Sequence, residues 1–414
     1  MHTSAPQIPD RPPGRWRSVH LFPGQGDFSV GALVRAVRSD GMMRTAAEQV
    51  FEAMDRVAAE RGLPALGSWL LGPTPPTARD LADAATGTSQ LALFGASMTT
   101  HQSLCRSHGT PAAVVGVSFG EIAALTAAGV FTLCDGARIA HDLARVLASC
   151  SGGLTHLSCS ERTARDLIDR AGTRNAVAGV DDGRSVVVAG VDDGRSVVVA
   201  GVDDGRSVVV AGVDDGRSVV VAGVDDGRSV VVAGVDDDRS VVVAGVDDRR
   251  SVVEDGVDDG RSVVVAVVND DRSVVVAGPV SELVRVEKVA AETQVTAVRL
   301  HLPFTSHHPA LQAESEVFAE AVRAYDRSEA HFPVYSAVAG RAYAVGEDLP
   351  RRLADCLVRP AVVPTVLHLV ARHEPDVLFE AGTGRSLATS ARRVLSRLST
   401  LTVLAPLAEP GSFP

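Results

Sequence analysis

The stretch Val114-Val115-Gly116-Val117-Ser118-Phe119-Gly120-Glu121-Ile122-Ala123-Ala124-Leu125 decides the fold. A short apolar run enters a Gly-x-Ser-x-Gly turn, and an Ala/Leu-rich helical segment leaves it. This is the pattern of a nucleophile elbow, a serine held at a tight strand-to-helix corner between small residues that let the backbone bend. Such a corner exposes Ser118 Oγ and aims the first N–H groups of the new helix, that of Phe119 foremost, at a developing oxyanion. The same five residues also fit a plain strand–helix junction in which glycine serves only the turn, so the rest of the chain must decide.

Upstream, the apolar run Ser18 to Phe22 leads into Pro23-Gly24-Gln25-Gly26-Asp27, a turn that can leave Gln25 facing a cavity. Helical spacing covers Thr45 to Arg61 and Thr88 to His108, the latter leading to the strand that opens at Ala113. Downstream, Thr132 reads as the N-cap of a helix to about Ser149, Thr155 to Cys159 as a strand, and Ser160 as the cap of a helix to about Ala171. Pro279 to Thr293 is helical, and Val295 to Leu302 alternates like a strand. Beyond Pro303-Phe304-Thr305-Ser306-His307-His308-Pro309 come helices over Ala310 to Tyr325, Thr365 to Arg372 and Ser386 to Leu398. Further elements are expected at Val334 to Val338 and Val377 to Gly384, with a last strand near Leu401 to Leu404. Strands alternating with helices imply an α/β lobe with a parallel sheet. The order β–α–β–(expansion)–α–β between the halves of that lobe is that of a ferredoxin-like split-βαβ unit.

The expansion is an 11-residue repeat, Val-Asp-Asp-Gly-Arg-Ser-Val-Val-Val-Ala-Gly, with copies starting at Val180, Val191, Val202, Val213, Val224, Val235, Val246, Val257 and Val268. Each copy reads as a β-branched strand with an Asp-Gly turn. A tandem expansion of one hairpin, tolerated as a protrusion, competes with a stacked β-array that binds something and with a disordered loop. Calcium is not expected, because the glycine phasing of calcium-binding β-rolls is absent.

Composition narrows the function classes. The net charge of −11 resides wholly between Val180 and Val276, so it describes one tract and not a binding surface. There is no basic cluster and few aromatics, which argues against nucleic acid. No apolar window is long enough for a membrane helix, and Met1 to Arg17 lacks the apolar core of a secretory signal, so a disordered leader over 1–17 and a cytoplasmic protein are expected. The five cysteines form no C-x-x-C pair, which points to reduced thiols and to no metal site. Lys288 is the only lysine, so neither a catalytic lysine nor a P-loop is expected.

Four signatures stand in one order: Phe22-Pro23-Gly24-Gln25-Gly26, Gly116-Val117-Ser118-Phe119-Gly120-Glu121, Ser306-His307-His308-Pro309 and Phe379-Glu380-Ala381-Gly382. Together they resemble the malonyl-CoA:acyl carrier protein transacylase family, including polyketide synthase acyltransferase domains, over nearly all of Ser18 to Pro406. The resemblance implies an α/β-hydrolase-like main lobe with a parallel sheet over 18–153 and 304–406. It implies a ferredoxin-like small lobe over 154–303 that carries the repeat tract 180–278, with a tail at 407–414. It also implies ping-pong acyl transfer through a serine acyl-enzyme, with Ser118 as nucleophile and His307 as general base. By the same resemblance the N–H groups of Gln25 and Phe119 form the oxyanion hole. Gln90, Val117, Leu143 and Ser306 belong to the acyl pocket, and a carbonyl near Thr383 to Ser386 orients His307. His308 takes a position usually held by a small residue, and His301 reads as an exposed structural histidine. The implied partner is an acyl carrier protein, with no cofactor beyond the phosphopantetheine or coenzyme A that carries the acyl thioester.

Two departures from the family pattern matter. Val117 stands where the family usually has histidine, and the arginine that grips a malonyl carboxylate falls on Leu143. Arg145 is two residues on, about 200° around a helix, and cannot take its place. A buried carboxylate without a counter-charge costs several kcal/mol, so a neutral acyl donor is expected. An acyl hydrolase of the same fold, and a non-catalytic binding module that works through the repeat, are the alternatives.

Overall fold

The computed structural model describes residues 16–26, 28–173 and 263–409, together with seven strands between residues 185 and 255. In chain order the strands are β1 (Ser18–Phe22), β2 (Ala113–Gly116) and β3 (Gly153–Leu157), followed by the repeat strands. These are β4 (Ser185–Val191), β5 (Val197–Val202), β6 (Ser207–Val213), β7 (Val219–Val224), β8 (Val230–Ala233), β9 (Val241–Ala244) and β10 (Val252–Asp255). Next come β11 (Val264–Asp270), β12 (Ser273–Gly278) and β13 (Ala297–Arg299). The chain closes with β14 (Val334–Ser336), β15 (Arg341–Ala342), β16 (Ala361–Val362), β17 (Val377–Glu380) and β18 (Thr402–Leu404).

The larger sheet has the order β15-β14-β2-β1-β17-β18 and is parallel except at β14–β15. Its central strands are short apolar runs buried on both faces, as a parallel sheet covered by helices on each side requires. Side-chain alternation splits the core in two. Val19, Leu21 and Val115 pack with Leu367 and Leu378 on one face, while Phe22 and Val114 pack with Phe51, Phe94 and Phe119 on the other. Against the second face lies the Thr88–His108 helix, whose residues are mostly buried. The Leu133–Leu147 helix starts as expected, with Thr132 Oγ accepting from the Asp135 N–H at 3.1 Å.

The smaller sheet runs β13-β3-β12-β11-β16. β3 and β11 flank β12 and are antiparallel to it, and β13 is antiparallel to β3. With helices Glu161–Thr173 and Val280–Glu292 this is the split-βαβ order of a ferredoxin-like lobe. Its core is a separate cluster that includes Leu157, Leu167, Val274, Val276 and Leu283. The fifth strand, β16, comes from the late part of the chain and pairs in parallel with β11. That pairing carries backbone from the main lobe to the edge of the small one.

Among the described repeat strands, β4 to β10 pair with copies two units away. Ser185 faces Ser207 and Val197 faces Val219, all in parallel, giving a sheet β10-β8-β6-β4 and a second sheet β5-β7-β9. Within β4 to β10 adjacent copies are therefore not partners in antiparallel hairpins, whereas the last two copies are, as β11 and β12. The turns between the strands β4 to β10 lie outside the described residues.

Residues from both expected ends pack into the main lobe. Within the expected leader 1–17, Trp16 is buried and stacks on His108 with ring centroids 4.9 Å apart. An indole gains more from that aromatic slot than from water. In the expected tail, Leu407 is buried and Glu409 pairs with Arg392 at 2.7 Å. The remainder of the leader and residues 410–414 lie outside the described part. Among the described residues no helix is long and apolar enough to cross a membrane.

Candidate active site

β2 delivers the chain into the elbow, and two glycines make the corner sterically possible. A Cβ on Gly116 would lie 2.5 Å from Glu121 Cα, and one on Gly120 only 2.2 Å from Phe22 O. Ser118 itself sits at φ 55, in the left-handed region that a non-glycine residue adopts only when its surroundings impose it. The Gly120–Ala127 helix follows directly.

His307 arrives from the segment after β13, also with positive φ (57). Its Nε2 lies 2.8 Å from Ser118 Oγ, and its Nδ1 lies 2.7 Å from the Arg359 carbonyl oxygen. A carbonyl only accepts, so the imidazole proton resides on Nδ1 and the Nε2 lone pair faces the serine hydroxyl. Burial pushes the His307 pKa down to about 4, against the smaller opposing pull of the Arg359 bond. The ring is therefore neutral, the form a general base needs.

The orienting carbonyl belongs to Arg359, just before β16, and not to the Thr383–Ser386 region expected from the resemblance. The Thr383 hydroxyl accepts from the Ser29 N–H at 2.7 Å. His308 is buried and caps the short turn Pro309–Leu311, with Nδ1 accepting from the Ala310 N–H at 3.2 Å. His301 is exposed.

Ser118 and His307 open onto a cleft of about 310 Å³. Pro23, Gly24, Gln25 and Gly26 line it on one side, and strands of the small sheet face it on the other. Of the expected pocket residues, Val117 and Ser306 are on its wall. Gln90 and Leu143 are not. Gln90 Nε2 donates to Gln25 Oε1 at 2.9 Å, so that amide ties the turn to the Thr88–His108 helix. Leu143 is 2 % exposed within the main-lobe core, because the amphipathic Leu133–Leu147 helix turns that position inward. Arg145 points to solvent. Among the described residues the cleft lining contains no arginine, lysine, aspartate or glutamate. Among the described residues neither the Gln25 nor the Phe119 N–H is taken by a backbone carbonyl, as donors reserved for an oxyanion would be.

Three polar residues of the cleft wall escaped the sequence reading: His156 on β3, Asn269 on β11 and Ser273 on β12. Asn269 was visible only as one drifted repeat position. A separate group of His20, His101 and Cys105 brings three possible metal donors close together under β1. Its imidazoles are bonded to each other, Nδ1 to Nδ1 at 2.9 Å, and burial pushes the Cys105 thiol up to about 11. None of the three lines the cleft.

A parallel α/β sheet with an elbow serine, a histidine supplied from beyond an inserted ferredoxin-like lobe and a cleft between them is the fold of acyltransferase domains and transacylases. The solved structures similar to this chain are of that kind, and the curated proteins similar to it are polyketide synthases. The malonyl-CoA:acyl carrier protein transacylase of Xanthomonas oryzae pv. oryzae superposes with a TM-score of 0.64 at 17% identity, covering 96% of each chain. The acyltransferase domain of the second module of the salinomycin polyketide synthase gives a TM-score of 0.59 at 18% identity, covering 94% of this chain and 68% of that one. In sequence, the polyketide synthase system protein NorC of Streptomyces orinoci, which belongs to the spectinabilin system, is 36% identical over 175 residues. Erythronolide synthase EryA3 of Saccharopolyspora erythraea is 36% identical over 174 residues. Each match spans 41% of this chain but only 7% and 5%, respectively, of those much longer proteins. No family model matches the chain.

Proposed function

We propose that the chain is an acyltransferase that moves a neutral acyl group between coenzyme A or acyl carrier protein thioesters through an ester on Ser118. The observation that carries this reading is the contact of His307 Nε2 with Ser118 Oγ at 2.8 Å, on a cleft whose described lining holds no cationic side chain. His307 takes the hydroxyl proton as Oγ attacks the thioester carbonyl. The N–H groups of Gln25 and Phe119 receive the oxyanion, and the thiolate departs with the proton from Nε2. A second thiol enters by the reverse path and carries the acyl group away. An acyl carrier protein is the natural thiol source. One structural neighbour, at TM-score 0.62 and 17% identity, is a malonyl-transacylase solved in complex with a type II polyketide acyl-carrier protein.

The neutral-donor preference separates this chain from transacylases that handle malonyl groups. Desolvating a malonate carboxylate without a cation costs several kcal/mol, so butyryl should be favoured over malonyl by about 100-fold or more in kcat/KM. Competition between butyryl-CoA and malonyl-CoA, read by intact mass of the acylated protein, tests this. A malonyl adduct that outcompetes butyryl contradicts the specificity. Release of the acyl group to water in preference to a carrier thiol would make the enzyme a hydrolase.

A further inference from the structure

The small-lobe wall of the cleft is apolar except at one place. Among Leu154, Val267 and Val275, the side chains of His156, Asn269 and Ser273 form a hydrogen-bonded chain. Asn269 Nδ2 donates to Ser273 Oγ at 3.1 Å, and Ser273 Oγ lies 3.0 Å from His156 Nε2. Strand pairing creates this group: β12 lies between β3 and β11, so residues from three strands meet on one face. Nothing in the proposed transfer chemistry uses it.

The chain leaves two groups over. With Ser273 shared between its neighbours, His156 Nδ1 and Asn269 Oδ1 have no partner among the described residues, and both residues line the cleft. Burial keeps the imidazole on its neutral side, although nearby Asp270 pulls the other way. The Asp270 carboxylate is itself engaged by Ser390 and Arg393. The repeat underlines the neutrality of the wall. Its second position is aspartate in the eight copies from Val180 to Val257, and asparagine only at Asn269, in the copy that borders the cleft. An amide there keeps hydrogen-bonding capacity while removing a charge that would oppose the oxyanion on Ser118.

We propose that His156, Ser273 and Asn269 form a binding subsite for a neutral oxygen of the thioester substrate, a hydroxyl or carbonyl group. This rests on the acyltransferase reading and gives its substrate class: oxygenated acyl chains, such as a 3-hydroxyacyl group, in preference to plain hydrocarbon ones. The same chemistry would also take an amide of the pantetheine arm. The test compares butyryl and 3-hydroxybutyryl thioesters, each on N-acetylcysteamine and on pantetheine, with the wild-type chain, His156→Leu and Ser273→Ala. For an acyl-chain oxygen, the hydroxybutyryl-to-butyryl ratio of kcat/KM falls on the order of tenfold in both variants, on either carrier. For an arm amide, that ratio holds while the advantage of pantetheine over N-acetylcysteamine is lost. If both ratios match the wild type in both variants, the subsite is refuted. Failure of the underlying reading looks different: wild-type protein would take no acyl group from any of the four thioesters.

Discussion

Replacing His307 with alanine slows acylation of Ser118 by about 10²–10⁴-fold, the contribution of a well-placed general base. The geometry leaves no substitute. Nε2 is 2.8 Å from Ser118 Oγ, and the other titratable side chain among the described cleft residues, His156, is bonded to Ser273. The wild-type pH profile carries an independent signature. The active form of His307 is the neutral one, and burial sets its pKa at about 4, below the ordinary 6.5 of histidine. Acylation should therefore hold its rate as pH falls through 6.5 and decline only as pH approaches 4. Measured as single-turnover acylation from pH 4 to 8, a decline centred near 6.5 would place the base in a solvated setting unlike this one. The alanine variant should lose the acid limb altogether.

Changing Gly120 to alanine has the second large effect, on folding. The added Cβ would lie 2.2 Å from Phe22 O and 2.6 Å from Pro23 O, both backbone atoms. No side chain can rotate away, so the end of β1 or the start of the elbow helix has to move. Overpacking against rigid backbone should cost about 3 kcal/mol or more. In a chain of this size that lowers Tm by roughly 3–5 °C. Gly41→Ala is the control, since a Cβ there meets nothing within 4 Å. Equal Tm values for both variants and the wild type would contradict the tight corner. The displaced turn also carries Gln25, so any Gly120→Ala protein that folds should acylate slowly.

The elbow was legible because its requirement is written in side chains: a serine between glycines that cannot be larger. The ferredoxin-like order was legible because the strand and helix patterns survive on either side of the repeat. His307 became legible only through the resemblance, since nothing local in Ser306-His307-His308-Pro309 distinguishes one histidine from the other. The structure separates them, with His307 on Ser118 and His308 on the Ala310 N–H. The orienting group was not legible at all. Every residue has a carbonyl, and the Arg359 carbonyl is selected by the short β16 edge strand, which pairs over only two residues. Gln90 and Leu143, carried to the pocket by the resemblance, are not among the described residues that line this cleft. The strand read over Val295 to Leu302 shrinks to Ala297–Arg299, where pairing with β3 stops. His156, Asn269 and Ser273 lie far apart in sequence and meet only through strand register.

The central claim is that Ser118 carries the acyl group. Incubation with butyryl-CoA, proteolysis and peptide mapping by mass spectrometry tests it most directly. The account predicts one butyryl group, on the peptide containing Ser118, absent from Ser118→Ala and discharged by a carrier thiol. An adduct on any other residue, or one that persists in Ser118→Ala, would contradict it.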